Sequence, residues 1–123
     1  MNIRNLLNNK NFLKKDQFDK RKILEKYILT DKNCHIGSSV LCFENETIIN
    51  EKNKSFYKHY GCPKHANSIT IGKEYKILEH KEGKIKIESD NGKKFWFTIN
   101  RFLYSLSVER KEKLEKLKKL NNE

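Results

Sequence analysis

The sequence predicts an α+β protein, a small antiparallel β-barrel or meander flanked by an N-terminal and a C-terminal helix. Two shifts of hydrophobic period carry this reading. Apolar residues recur at i,i+4 spacing between Asp16 and Leu29, alternate within three short runs between Tyr75 and Ile99, and return to helical spacing after Ser107. The shifts divide the 123 residues into an N-terminal helical segment (1–32), a β-rich segment (33–107) interrupted by a polar insertion at 44–67, and a basic C-terminal helix (108–123). A chain of this length supports one core with appendages and no second independent domain.

Each element has its own signature. Ile3, Leu6 and Leu7 are spaced for a helix, but asparagines at 2, 5, 8 and 9 limit it to a short one. From Asp16 to Leu29 the pairs Ile23/Tyr27 and Leu24/Ile28 form one apolar face, with Lys20, Arg21, Lys22 and Lys26 around it. Val40-Leu41-Cys42-Phe43 is a continuous apolar run of strand length, as expected of a buried strand. Ile69 to Phe102 reads as a three-stranded meander. Tyr75 and Ile77 alternate with Lys76; Ile85 and Ile87 with Lys84, Lys86 and Glu88; Phe95, Phe97 and Ile99 with Trp96, Thr98 and Asn100. One face of that sheet is basic, which predicts a half-exposed sheet. Gly83 marks its first turn, and Asn91-Gly92 within Asp90-Asn91-Gly92 supplies the positive φ angles of a tight hairpin. The C-terminal segment carries a thin stripe, Leu114, Leu117 and Leu120, and three Glu-to-Lys i,i+4 pairs: Glu109/Lys113, Glu112/Lys116 and Glu115/Lys119.

Twenty-seven lysines and arginines against 16 carboxylates give a net charge of +11, and all three segments are basic. Such a field attracts phosphate backbones or an acidic protein surface. Only Arg4, Arg21, Arg101 and Arg110 are arginine; the rest are lysine, in a chain also rich in asparagine, a joint bias that AT-rich codons alone produce. Bidentate reading of guanine edges relies on arginine, whereas lysine acts as a point charge on phosphate. Nucleic-acid recognition by this chain is therefore expected to be weakly sequence-specific and salt-sensitive. No apolar run approaches the roughly 20 residues that span a bilayer, and the first nine residues lack a signal-peptide hydrophobic region, so the expected location is the cytoplasm, with no membrane partner. Three cysteines make an odd count, read as reduced thiols.

Aromatics and lysines interleave between Lys54 and His65, where Lys54, Phe56, Tyr57, Lys58, Tyr60 and Lys64 suit RNA or single-stranded DNA: rings stack on bases and ammonium groups hold phosphates. The competing reading has Phe56 and Tyr57 anchoring a long loop. A second candidate surface is Lys93, Lys94 and Arg101, with Trp96 between them. No cofactor is expected, although Cys34, Cys42, Cys62 and His65 could together form a tetrahedral zinc site; the Cys34-to-Cys42 spacing is wide for a zinc knuckle. A Cys62 nucleophile with His59 or His65 as base has nothing to orient the base, and no phosphate loop or carboxylate pair accompanies it. Binding, and not catalysis, is the expected activity.

Ile71-Gly72-Lys73-Glu74-Tyr75-Lys76-Ile77-Leu78, then Asp90-Asn91-Gly92-Lys93-Lys94-Phe95-Trp96-Phe97 and a closing Arg101-Phe102, resemble the pattern of small SH3-like barrel domains of bacteriophages and mobile elements. The resemblance covers Gly37–Phe102. The 44–67 insertion and Thr98-Ile99, where a proline-lysine step is usual, depart from it. It implies an SH3-like barrel that binds its partner, with Trp96 buried. A phage setting implies two kinds of partner: nucleic acid or a host nucleoprotein, or alternatively a host defence nuclease inhibited in the manner of an anti-CRISPR protein. Oligomeric state is left open.

Overall fold

The structure, a computed structural model, describes residues 3–45, 49–60 and 68–121, the side chains of 119–121 excepted. Three short helices open the chain: α1 (Ile3–Leu7), α2 (Lys10–Leu13) and α3 (Gln17–Ile23). The asparagine-rich start is broken where Asn9 caps α2, its side chain accepting from Phe12 N at 3.1 Å. Asp16 caps α3 in the same way through Asp19 N at 2.9 Å. There follow β1 (Ser39–Cys42), α4 (Lys54–Tyr60), β2 (Glu74–Lys76), β3 (Glu79–Lys81), β4 (Lys84–Glu88), β5 (Lys94–Thr98), β6 (Phe102–Tyr104) and α5 (Ser105–Asn121).

The protein is α+β, with two three-stranded antiparallel sheets ordered β2-β1-β6 and β3-β4-β5. Neither sheet closes into a barrel. Only β3, β4 and β5 form the expected meander; the Tyr75 strand leaves it to pair with β1, Val40 opposite Tyr75. The backbone changes sheet at Ile77-Leu78. Ile77 N donates to Ser38 O at 3.0 Å in the first sheet, and Leu78 N to Lys86 O at 2.8 Å in the second.

The first sheet is covered on both faces, which explains the unbroken apolar run of β1. Val40 and Cys42 enter a core with Ile69, Tyr75, Ile77, Ile85, Ile87, Phe97 and Phe102, between the sheets. Leu41 and Phe43 enter a second core with Ile3, Leu7, Phe12, Leu24, Leu103 and Val108, beneath the helices. Strand alternation alone divides the run between them. The second sheet has one apolar face, Ile85, Ile87 and Phe97, and an open face.

Several local expectations give way to tertiary demands. The predicted 16–29 helix stops at Ile23 because residues 27–29 lie along β6: Leu29 N donates to Phe102 O at 2.9 Å, Tyr104 N to Tyr27 O at 2.9 Å, and Ile28 bridges Leu103. The insertion contains a helix, α4, started by an asparagine turn in which Asn50 N donates to Asn53 Oδ1 (2.8 Å) and Asn53 N to Asn50 Oδ1 (3.1 Å). The C-terminal helix begins at Ser105, three residues before its expected start, and Glu112 bonds Arg4 Nε at 2.9 Å in place of the expected Lys116. Ile99 leaves the strand alternation for a 3-10 turn, Ile99–Arg101.

The Asp90-Asn91-Gly92 hairpin is present in a wider form than a two-residue turn. Gly92 N donates to Ser89 O at 3.0 Å, Ser89 N to Lys93 O at 2.8 Å, and Gly92 sits at φ +82°, the left-handed residue of a three-residue loop. Asp90 fastens this tip to the 70–75 segment, accepting from Lys73 Nζ (2.7 Å), the Tyr75 hydroxyl (2.8 Å) and Thr70 Oγ1, while Thr70 N donates to the Tyr75 oxygen at 2.7 Å. The bonds from Lys73 and Thr70 outweigh slight burial and hold the Asp90 carboxyl below its usual range. A carboxylate with a depressed folded pKa contributes stability present above its unfolded value, about 3.9, and lost as pH falls through the folded value. Wild type should therefore lose this contribution as pH falls below the unfolded value of about 4 toward the lower folded one. Asp90→Asn should cost about 1 kcal/mol at neutral pH and show a flatter acid limb in urea melts taken across that range.

Candidate nucleic-acid interface

The open face of the second sheet is set by its register. Lys84 stands opposite Thr98, Lys86 opposite Trp96, and Glu88 opposite Lys94, with Glu79 and Lys81 beyond on β3. Because Ile85, Ile87 and Phe97 turn inward, these residues turn outward: four lysines, two glutamates, one threonine and one tryptophan. Trp96 lies half-buried at their centre, with Lys81 Nζ 4.9 Å and Lys86 Nζ 5.9 Å from its ring centroid. Lys86 also meets Glu79 at 3.0 Å, whereas Lys81, Lys84 and Lys94 have no ion pair among the described residues. The expectation of a buried Trp96 is thus overturned. Phe95 and Phe97 claim the inner side, and period two sends the indole out among ammonium groups.

Lys93 and Lys94 are exposed at the hairpin tip and on β5, beside this face. Arg101 is not. It is 2% exposed, carried inward by the 3-10 turn before β6, and cannot meet a phosphate in the folded protein. It neighbours a buried Glu44, whose carboxylate accepts from Arg21 Nε (3.1 Å) and Nη2 (3.0 Å). Burial lifts the Glu44 carboxyl above its usual range while Arg21, Arg101 and Lys20 draw it down; burial also weakens the basicity of Arg101. Arg4, although partly exposed, is ion-paired within the chain to Glu74 and Glu112. Three of the four arginines therefore serve the fold, and lysine supplies the accessible cations of the sheet face.

The 54–60 residues are sorted by helical winding. At 100° per residue, Lys54 and Lys58 fall on one flank of α4 and Phe56 and Tyr60 on the other, with Tyr57 between them facing inward. Tyr57 is 8% exposed and its hydroxyl accepts from Gln17 Nε2, so it anchors the helix, as the competing reading of that segment held. Lysines and rings that alternate along the sequence are thus separated in space. Tyr60 instead meets Phe56, and Phe56 meets Phe18 of α3, an aromatic that sequence reasoning passed over. Its signal was present: Phe18 lies off the Leu24 face of α3, and a ring on a helix's polar side is an exposed ring.

Of the four zinc candidates, Cys62 and His65 lie outside the described residues, as does Lys64. Cys34 and Cys42 are both buried, and each donates to a backbone oxygen, Thr30 O at 3.3 Å and Glu44 O at 3.7 Å. Among the described residues no group of three or more His, Cys, Asp or Glu side chains is gathered for a metal. Burial pushes the Cys34 thiol up to about 11 and the Cys42 thiol up to about 12. Thiolate is the reactive form. Both should resist alkylation by iodoacetamide at pH 8 in the native protein and react fully in urea, as read by peptide mapping.

A groove of about 510 Å³ beside β2 is lined by Lys73, Tyr75, Leu78, Ser89 and Asp90 among others. Its central polar atoms satisfy one another in the Asp90 staple, so it serves the fold. No described helix is long and apolar enough to cross a membrane. Comparison with protein-family models, curated proteins and solved structures finds no match to this chain.

Proposed function

We propose that the protein acts by binding and not by catalysis, and that its ligand is single-stranded nucleic acid laid across the open face of β3-β4-β5. Trp96, ringed by lysines on the sheet face that the helices leave uncovered, is the observation that carries this reading. An unpaired base has a free π-face for the indole, and Lys81, Lys84, Lys86 and Lys94 are placed as point charges for the phosphates on either side. Such an interface reads backbone and base stacking, with little sequence discrimination, since no arginine fork stands on it.

Trp96 is the only tryptophan in the chain, so its own fluorescence tests the reading. Titration with a thymidine 20-mer at low salt should quench the emission. The affinity should fall with added salt along a log–log slope of about −2 to −3, as expected when three to four phosphates are neutralised. A duplex of equal length should bind more weakly. Unchanged emission at saturating oligonucleotide, or an affinity indifferent to salt, would remove the proposal.

We also propose that the two sheets are the halves of an SH3-like barrel. Supporting this are the direct passage of the chain from β2 to β3, and so from one sheet to the other, at Ile77-Leu78, the 3-10 turn Ile99–Arg101 before the last strand, and the shared core between the sheets. In that architecture the proposed ligand face is the outer surface of one half.

A further inference from the structure

We infer that a second surface, built by α3 and α4, docks an acidic, apolar-anchored protein segment. Phe18, Phe56 and Tyr60 are 43%, 45% and 71% exposed, yet they form one connected group. Phe18 and Phe56 meet edge-on with centroids 5.4 Å apart, and Phe56 and Tyr60 lie 4.7 Å apart. Beneath them Tyr57 packs at 5.1 Å from Phe56 and is tied to Gln17, which fixes α4 against α3. The rings are thus presented on a braced support, with little conformational freedom left to lose on binding. Exposed aromatics on a rigid base, rimmed by charge, have the anatomy of a protein-binding hot spot.

The rim chooses the occupant. Lys22 lies one turn beyond Phe18 on α3, Lys14 and Lys15 immediately precede the Asp16 cap of that helix, and Lys52, which acts on Asp16, precedes α4; these four lysines are exposed, against Asp16, Asp19 and Glu51 as the acidic residues of the same segments. The excess is positive, which repels a second copy of this +11 chain and favours a carboxylate-bearing partner. The rings supply the apolar anchor site and the lysines the register. No residue of this patch belongs to the Trp96 face, so the protein can hold a nucleic-acid strand on one surface and an acidic protein segment on another.

A library of random 12-residue peptides displayed on phage, selected on the full-length protein, tests the inference. Enriched peptides should carry Asp or Glu beside Leu, Phe or Trp. Synthesised with a fluorophore, they should bind wild type and Trp96→Ala equally by anisotropy. Phe18→Ser/Phe56→Ser should weaken them at least tenfold, and Lys15→Glu/Lys22→Glu should weaken them at least fivefold with the rings intact. Circular dichroism of the variants should match wild type, because the substituted side chains are exposed. The inference fails if nothing is enriched, if the enriched peptides lack acidic residues, or if they bind the ring variant as well as wild type. It also fails if thymidine 20-mer affinity falls with Phe56→Ser, which would assign the patch to the nucleic-acid site.

Discussion

Phe43→Ala should lower the unfolding free energy by about 3–5 kcal/mol, read as a shift in the urea midpoint with an unchanged slope. Phe43 is fully buried at the end of β1, in the core that the first sheet shares with the N-terminal helices and α5. Its ring, like the Leu41 side chain, turns away from the inter-sheet core, so truncation leaves a cavity between sheet and helices. Ile3, Leu7 and Phe12 belong to helices too short to be stable alone, and these helices persist through such contacts. A domain of this size holds roughly 6–18 kcal/mol in total, so the loss is a large fraction of it. Phe56→Ala supplies the contrast. That ring is nearly half exposed on α4, and its truncation should cost about 0.5 kcal/mol. Comparable losses at the two positions would mean that the helical layer is not packed as described.

The same division between inner and outer faces decides what could be read from the sequence. The β4-β5 hairpin was legible because its alternation is strict and Gly92 occupies a position that demands positive φ. The β1 run was legible as buried, and its two-sided burial followed from having no polar alternation at all. The end of α3 was not legible. Ile23/Tyr27 and Leu24/Ile28 satisfy a helical template, but residues 27–29 gain more by bonding to β6, a partner some 75 positions away that no local window contains. Tertiary pairing of that kind overrides propensity.

The candidate site was legible in composition more than in place. Lys93 and Lys94 are exposed as expected, but Arg101 turned inward with the 3-10 turn, and Tyr57 anchors α4. Interleaving of lysine and aromatic residues signals a mixed surface only where the backbone has period two. On α4 the same interleaving winds the two kinds of residue onto opposite flanks. On β5 the alternation of Phe95, Trp96 and Phe97 does the reverse and leaves a single ring among cations, where the family resemblance implied a buried one.

Trp96→Ala carries the largest expected functional effect. A stacked base contributes about 1–3 kcal/mol on an aromatic platform, so the variant should bind a fluorescein-labelled thymidine 20-mer roughly 5- to 150-fold more weakly than wild type. Its salt slope should stay close to the wild-type value, because Lys81, Lys84, Lys86 and Lys94 remain. Lys84→Gln/Lys94→Gln should do the opposite, flattening the slope by about 1.4 through loss of two phosphate contacts while stacking persists. Trp96→Phe should keep most of the affinity. Folding does not confuse the comparison. The indole lies on the outer face, where it interacts with Lys81 and Lys86, and losing those two cation–π contacts should cost about 1–2 kcal/mol. A Trp96→Ala protein that stays folded and binds the oligonucleotide as tightly as wild type would mean that the indole only shelters its own sheet and that the strand, if bound, lies elsewhere.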